Sequence, residues 1–170
     1  MKILYLLRHA KAESGGVGMN DEDRALSERG RRASASIGNY MKKKDYIPQL
    51  ALCSSSVRTR QTLEEVARAA GTVWPARFEK SLYLATAEEM LRVIAQADDA
   101  CASLLVVGHN PGMHHLALLL ADPEPEDLHH ALELKYPTGT LTALKISGAH
   151  WSDIAPGAGQ LTDFVTPEGL

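Results

Sequence analysis

The chain has 170 residues, of which 45% are apolar and 23% charged, the usage of a globular domain rather than a disordered segment, and a length that hides roughly two-thirds of the unfolded surface in one core. Its formal charge of -3 supplies no basic field of the kind that draws proteins onto nucleic acid or acidic lipid, so any anion has to be held by a local cluster. One domain over residues 1–170, no nucleic-acid partner and no membrane contact are therefore expected; the apolar start is too short for a signal segment, no later run approaches the ~20 residues of a membrane span, and the cytoplasm is the default compartment.

Residues 3–7 form a short continuous apolar run that stops at Arg8 and His9, the reading of a strand buried on both faces. Residues 27–44 follow a helical period, with Ser27 as N-cap, Ile37, Tyr40 and Met41 on one face and three lysines at the C-terminal end of the dipole. A second apolar run at 50–53 leads through three serines into a helix over 57–70 that stops at Gly71. Residues 72–78 read as a weaker strand, pushed to a sheet edge by Pro75. A helix is expected over 88–97, and the clearest strand is 104–107. Gly108, His109, Asn110 and Pro111 then lead into an apolar helix over 113–121, with Pro111 in its first turn. The acidic, proline-containing stretch 122–127 reads as a surface loop, 140–146 as a strand, and 161–165 as one more short strand. Cys53 and Cys101 lack CxxC spacing and read as buried thiols, so neither a disulfide framework nor a zinc site is indicated.

Strands alternating with helices in this order predict an α/β domain with a mostly parallel sheet, whose ligands bind beyond the carboxyl ends of the strands. Three polar clusters follow three strands: Arg8/His9, Ser54 to Arg58, and Gly108 to Asn110. They should converge. Two arginines and two histidines there would make a cationic pocket suited to a phosphoryl group, because guanidinium forks match phosphate oxygens in pairs and an unprotonated imidazole nitrogen can attack phosphorus. A helix beginning at 108–111 would add its positive dipole end. GxxxxGK[ST] and GxGxxG are both missing, which counts against nucleoside triphosphates and dinucleotides.

These segments resemble the motifs of the histidine phosphatase (phosphoglycerate mutase-like) superfamily. Leu7-Arg8-His9-Ala10 is similar to its RHG motif with alanine for glycine, the nine residues from Ser54 to Thr62 to its second-arginine segment, and Gly108-His109-Asn110-Pro111 to its second-histidine segment. The short length, the stretch from Asp23 to Gly30 and the Leu82-Tyr83 region resemble the SixA-type phosphohistidine phosphatase branch, a likeness that runs to about Ile146. The resemblance implies a three-layer α/β/α sandwich with one antiparallel strand in a mostly parallel sheet. It implies His9 as the phosphorylated nucleophile, Arg8 and Arg58 as phosphate clamps, His109 as the second histidine of the pocket, no metal and no organic cofactor. The implied partner is a phosphohistidine-bearing protein; a small phosphomonoester is the alternative substrate, and a non-catalytic phosphate-binding protein a third reading.

Larger members carry an acid in an LxE pattern, whereas Leu82-Tyr83-Leu84 has no carboxylate. Glu88, Glu79 and Asp21 are the candidate substitutes for that general acid, Glu88 first, although a solvated first-turn helix carboxylate favoured by the dipole is its plainer reading. Spacing selects Arg58 over Arg60 in the second motif. Asn110 and Thr138 are candidate phosphate donors with capping or turn roles as the plainer alternative, and Lys11 a rim charge. His114, His115, His129 and His130 lack metal-site spacing and read as structural or exposed.

Overall fold

The computed structural model describes residues Met1–Leu170. A six-stranded sheet comprises β1 (Lys2–Arg8), β2 (Leu50–Ser54), β3 (Ala76–Glu79), β4 (Ser103–Gly108), β5 (Leu141–Ile146) and β6 (Gly159–Val165), in the order β3-β2-β4-β1-β5-β6. The pairs β1/β4, β2/β4 and β2/β3 are parallel; β5 is antiparallel to both β1 and β6, so five strands share one direction and β5 alone opposes them. This is the expected mostly parallel sheet with one antiparallel strand.

Helices cover both faces: α1 (Glu28–Lys43) and α2 (Val57–Ala69) on one, α3 (Ala87–Ala95), α4 (Gly112–Leu120) and α5 (Glu126–Leu134) on the other. The central strands are apolar throughout because alternate residues enter different cores. Leu4, Leu6, Leu104 and Val106 join the cluster under α3 and α4, while Tyr5, Leu7, Leu105 and Val107 join the one under α1 and α2. The three layers follow directly.

Several ends are set by local chemistry. Ser27 accepts from the Gly30 amide at the start of α1, Ser56 accepts from Thr59 at the start of α2, and Thr86 with Glu89 forms a reciprocal capping box at α3. The edge strand starts just after Pro75, as that residue's missing donor requires. Two expectations need correction. The acidic stretch at 122–127 is a loop only as far as Pro125; Glu126 and Asp127 are the first turn of α5, whose apolar side places Leu132 in the core. Cys53 is fully buried, its thiol pushed up to about 12 by burial, but Cys101 is only half-buried.

Gly112 opens α4 where the helix meets the turn before α3, and a Cβ there would stand 1.9 Å from the Ala85 carbonyl oxygen. Gly112→Ala should therefore force α4 outward and cost about 1–3 kcal/mol by overpacking. A melting curve checks this; an unchanged midpoint would mean that the close approach is not maintained.

Candidate active site

The three clusters meet at the carboxyl ends of β1, β2 and β4, with the start of β5 closing the fourth side. The His9 amide donates to the Gly108 carbonyl, and Gly139 donates to Arg8 and His9 carbonyls, so the residues that follow β1, β4 and the turn into β5 are held against one another. Together they line an open pocket of about 390 Å³ that includes Arg8, His9, Asp21, Arg58, His109 and Asn110. A larger hollow of about 830 Å³ lies elsewhere, between α2 and β3; it is mainly apolar and holds no histidine.

His9 is 8% exposed, and its Nδ1 lies 2.7 Å from the Ala10 carbonyl oxygen. A carbonyl can only accept, so Nδ1 carries the proton and Nε2 the free lone pair. Burial pushes the pKa down to about 4, opposed by the Ala10 hydrogen bond and reinforced by the charges of Arg58, Arg8 and Arg24. At neutral pH the ring is uncharged, the form in which Nε2 is a nucleophile.

His109 lies 5.4 Å from His9, ring centre to ring centre. Its Nε2 is 2.8 Å from the Ser54 hydroxyl and its Nδ1 faces an Arg58 Nη2 donor at 3.4 Å. Burial, then His9 and the two arginines, push its pKa down to about 3. A guanidinium can only donate, so Nδ1 accepts from Arg58, Nε2 carries the proton, and Nε2 donates to the Ser54 hydroxyl.

Arg58 is 2% exposed and extends its fork from the first turn of α2. It donates to the Asp21 carbonyl at 2.8 Å and to Asp21 Oδ2 at 2.9 Å. Arg8 donates to the Tyr136 carbonyl at 2.9 Å. The Nε atoms of both arginines are buried without a protein partner, a costly state for a donor unless an anion completes it. Thr62 ties the two motifs together: its hydroxyl donates to the Arg58 carbonyl and accepts from the Ala10 amide.

Of the expected site residues, the fold brings Arg8, His9, Arg58, His109 and Asn110 into the pocket. Arg60 instead stacks on Phe78, 4.2 Å from ring centre to guanidinium carbon, and lies outside it. Thr138 and Lys11 line the rim. Asn110 is largely committed to the fold, its Nδ2 donating to the Tyr136 carbonyl and its Oδ1 capping the His114 amide. Glu88 is corrected in position: it is exposed in the first turn of α3 and is not part of the lining, because it stands off the face of α3 that buries Met90, Val93 and Ile94.

The carboxylate in the pocket is Asp21. The hydrogen bond from Tyr83, joined by the hydrogen bond and charge of Arg58, holds its pKa down to about 2 against the opposing effect of burial. Its place against Arg58, 37 positions further along the chain, had no signal in the local sequence beyond the presence of a carboxylate. The Ser54–His109 bond was likewise invisible, although Ser54 stood in the right cluster. No three histidine, cysteine or acidic side chains converge as a metal site would require.

The family model described as the histidine phosphatase superfamily (branch 1) matches residues 4–83. An uncharacterised protein of Mycobacterium tuberculosis (strain H37Rv) is 34% identical over 163 residues, covering 95% of this chain and 99% of that one. The chain belongs to the histidine phosphatase superfamily. Within it, a solved structure from Agrobacterium tumefaciens assigned as phosphohistidine phosphatase SixA is 31% identical, covers 98% of both chains and superimposes with a TM-score of 0.82. A SixA-assigned structure from Nakamurella multipartitia is 29% identical with the same TM-score, over 98% of this chain and 96% of that one. The chain is thus a SixA-type histidine phosphatase with a phosphoglycerate mutase-like fold, and a phosphatase by class.

Proposed function

We propose that this histidine phosphatase hydrolyses phosphohistidine on a protein through a covalent intermediate at His9. The observation that carries the reading is the protonated Nδ1 locked onto the Ala10 carbonyl, which leaves an uncharged Nε2 in a pocket of guanidinium groups. Nε2 attacks phosphorus with its lone pair, and the bond to the departing imidazole breaks, that nitrogen keeping the electron pair while the ring's other nitrogen carries a proton taken from solvent, so that the substrate histidine leaves neutral. Arg8 and Arg58 hold the phosphoryl oxygens in pairs, and the second histidine, His109, lines the same pocket beside Arg58. Water then attacks the phosphohistidine at His9, which leaves as neutral imidazole. Asn110 lines the same pocket, and its side chain fixes the loop.

Support for the phosphohistidine substrate comes from the SixA-assigned relatives and from the lack of a proton-bearing carboxylate in the pocket. The test is phosphate release from a phosphohistidine-bearing carrier protein in a buffer containing EDTA. Turnover should be undiminished, because every group assigned to the phosphoryl oxygens is a side chain; a requirement for added divalent metal would remove the mechanism.

Arg58→Lys separates a fork from a point charge. The buried guanidinium reaches Asp21 twice and faces His109 at the same time, which one ammonium cannot reproduce. Loss of one charge-assisted contact costs about 1.5–3 kcal/mol, so kcat/KM should fall roughly 10- to 150-fold while Arg60→Lys stays near wild type. The reverse pattern would reassign the second-arginine motif.

A further inference from the structure

Beside the catalytic pocket, and sharing Lys11 and Thr138 with it, lies a second open groove of about 390 Å³. Its wall is one face of α1, where Arg29, Arg32 and Ser36 recur at helical spacing. Three cations line it against one acid, Glu168, which reaches Arg29 only at 3.9 Å with both side chains about three-quarters exposed. Lys11 and Arg32 are exposed and make no ion pair. This local excess of positive charge stands out on a chain whose net charge is -3.

The groove is also fixed relative to His9. The Lys11 carbonyl, two residues beyond the nucleophile, accepts from both the amide and the hydroxyl of Ser27, the cap of α1. Gly30 is packed so tightly on that carbonyl that a Cβ would come within 2.0 Å of it. The basic helix face and the imidazole therefore move as one body.

We infer that this groove is a docking subsite for acidic side chains flanking the phosphohistidine of a protein substrate, an inference that rests on the phosphohistidine reading above. Charge complementarity favours a protein segment: Arg29 and Arg32 stand exposed one turn apart on one face of α1, and Lys11 lines the same groove, an array that acidic side chains of a flanking peptide can match. Each is an exposed contact, so the effect is on encounter and KM and is screened by salt.

Two phosphohistidine peptides test it, one with glutamates and one with glutamines on either side of the modified residue, with an aryl phosphate as a substrate too small to reach α1. For several exposed charge contacts together the wild type should favour the glutamate peptide about tenfold in kcat/KM at low salt, mainly through KM, and the preference should collapse at about 0.5 M salt. Arg29→Glu/Arg32→Glu should abolish or invert it while aryl phosphate turnover is unchanged. Equal rates on both peptides by the wild type, a preference that survives in the double variant, or a parallel loss on the aryl ester would overturn the subsite while leaving the phosphohistidine reading intact. A selective loss on a small bisphosphate would assign the groove to small molecules instead. If the wild type cleaved the aryl ester and neither peptide, the phosphohistidine reading itself would fail, and the subsite with it.

Discussion

His9→Ala should lose activity by roughly a thousandfold or more, the scale on which removal of a nucleophile acts, with its melting curve little changed. The fold is expected to survive because the ring's hydrogen bond is to the carbonyl of its own neighbour, Ala10, and the segment is anchored by backbone bonds to Gly108 and Gly139 and by Thr62. No other group in the pocket can replace Nε2: His109 has both nitrogens occupied, one by Ser54 and one by Arg58. Rapid quenching without acid should trap a phosphoenzyme labelled at His9 in the wild type and none in the variant. The pH profile gives an independent check. A free imidazole is half-protonated near pH ~6.5, but His9 titrates at about 4, and a lowered pKa keeps the neutral, nucleophilic form dominant further into acid. After allowance for the ionisation of an aryl phosphate substrate, the acid limb of kcat/KM should therefore lie near 4 rather than 6.5. Label on another residue, or an acid limb at the ordinary imidazole value, would remove His9 from the role or from its buried setting.

The parts of this molecule legible in the sequence are those whose cause is local. Residues 3–7 and 104–107 read as strands because burial on both faces leaves no polar residue in the run, and Ser27 read as a cap because its hydroxyl acts three residues away. The convergence of Arg8, His9, Arg58 and His109 was legible for a different reason: once the strands are parallel, their carboxyl ends must lie together, and each of these residues stands at such an end or in the segment that follows it. The α5 helix was hidden by its acidic lead-in, although Pro125 before two first-turn acids, with Leu128 and Leu132 one turn apart, is a helix-start pattern. Glu88 was misplaced because a helix position says nothing about which way its first turn faces. Asp21 could not be joined to Arg58, nor Ser54 to His109, because those bonds span 37 and 55 residues and depend on how separate loops pack.

That pairing of Asp21 with Arg58 also bears on how the pocket handles an anion. The carboxylate already engages the fork that would receive phosphoryl oxygens, yet its side chain is about half exposed and sits on a short 3-10 turn, Asp21–Asp23, following a glycine-containing loop. Tyr83 and Arg24 hold the same carboxylate. Asp21 thus orients Arg58 and offsets part of the positive charge acting on His109, whose pKa its own charge acts to raise.

The same carboxylate determines which substrates should react fastest. An alcohol leaves poorly unless it receives a proton, whereas imidazole, with a pKa near ~6.5, takes one readily from its surroundings. Asp21, held at about 2 by Tyr83 and Arg58, has no proton to give at neutral pH, and Glu88 lies outside the pocket. General acid help is worth about 10²- to 10⁴-fold, so alkyl phosphates should be slower than phosphohistidine by roughly that factor, with aryl phosphates, whose phenolate leaves more easily, between them. Glu88→Gln should leave all three rates unchanged. Asp21→Asn should lower all three by a similar factor, because it loosens Arg58 without removing a proton donor; a loss confined to the alkyl ester would instead identify Asp21 as the acid, its proton restored when a phosphate dianion enters beside it. Hydrolysis of a sugar phosphate as fast as phosphohistidine would show that leaving-group protonation is supplied after all, and would transfer the enzyme to the small-molecule phosphatases of its superfamily.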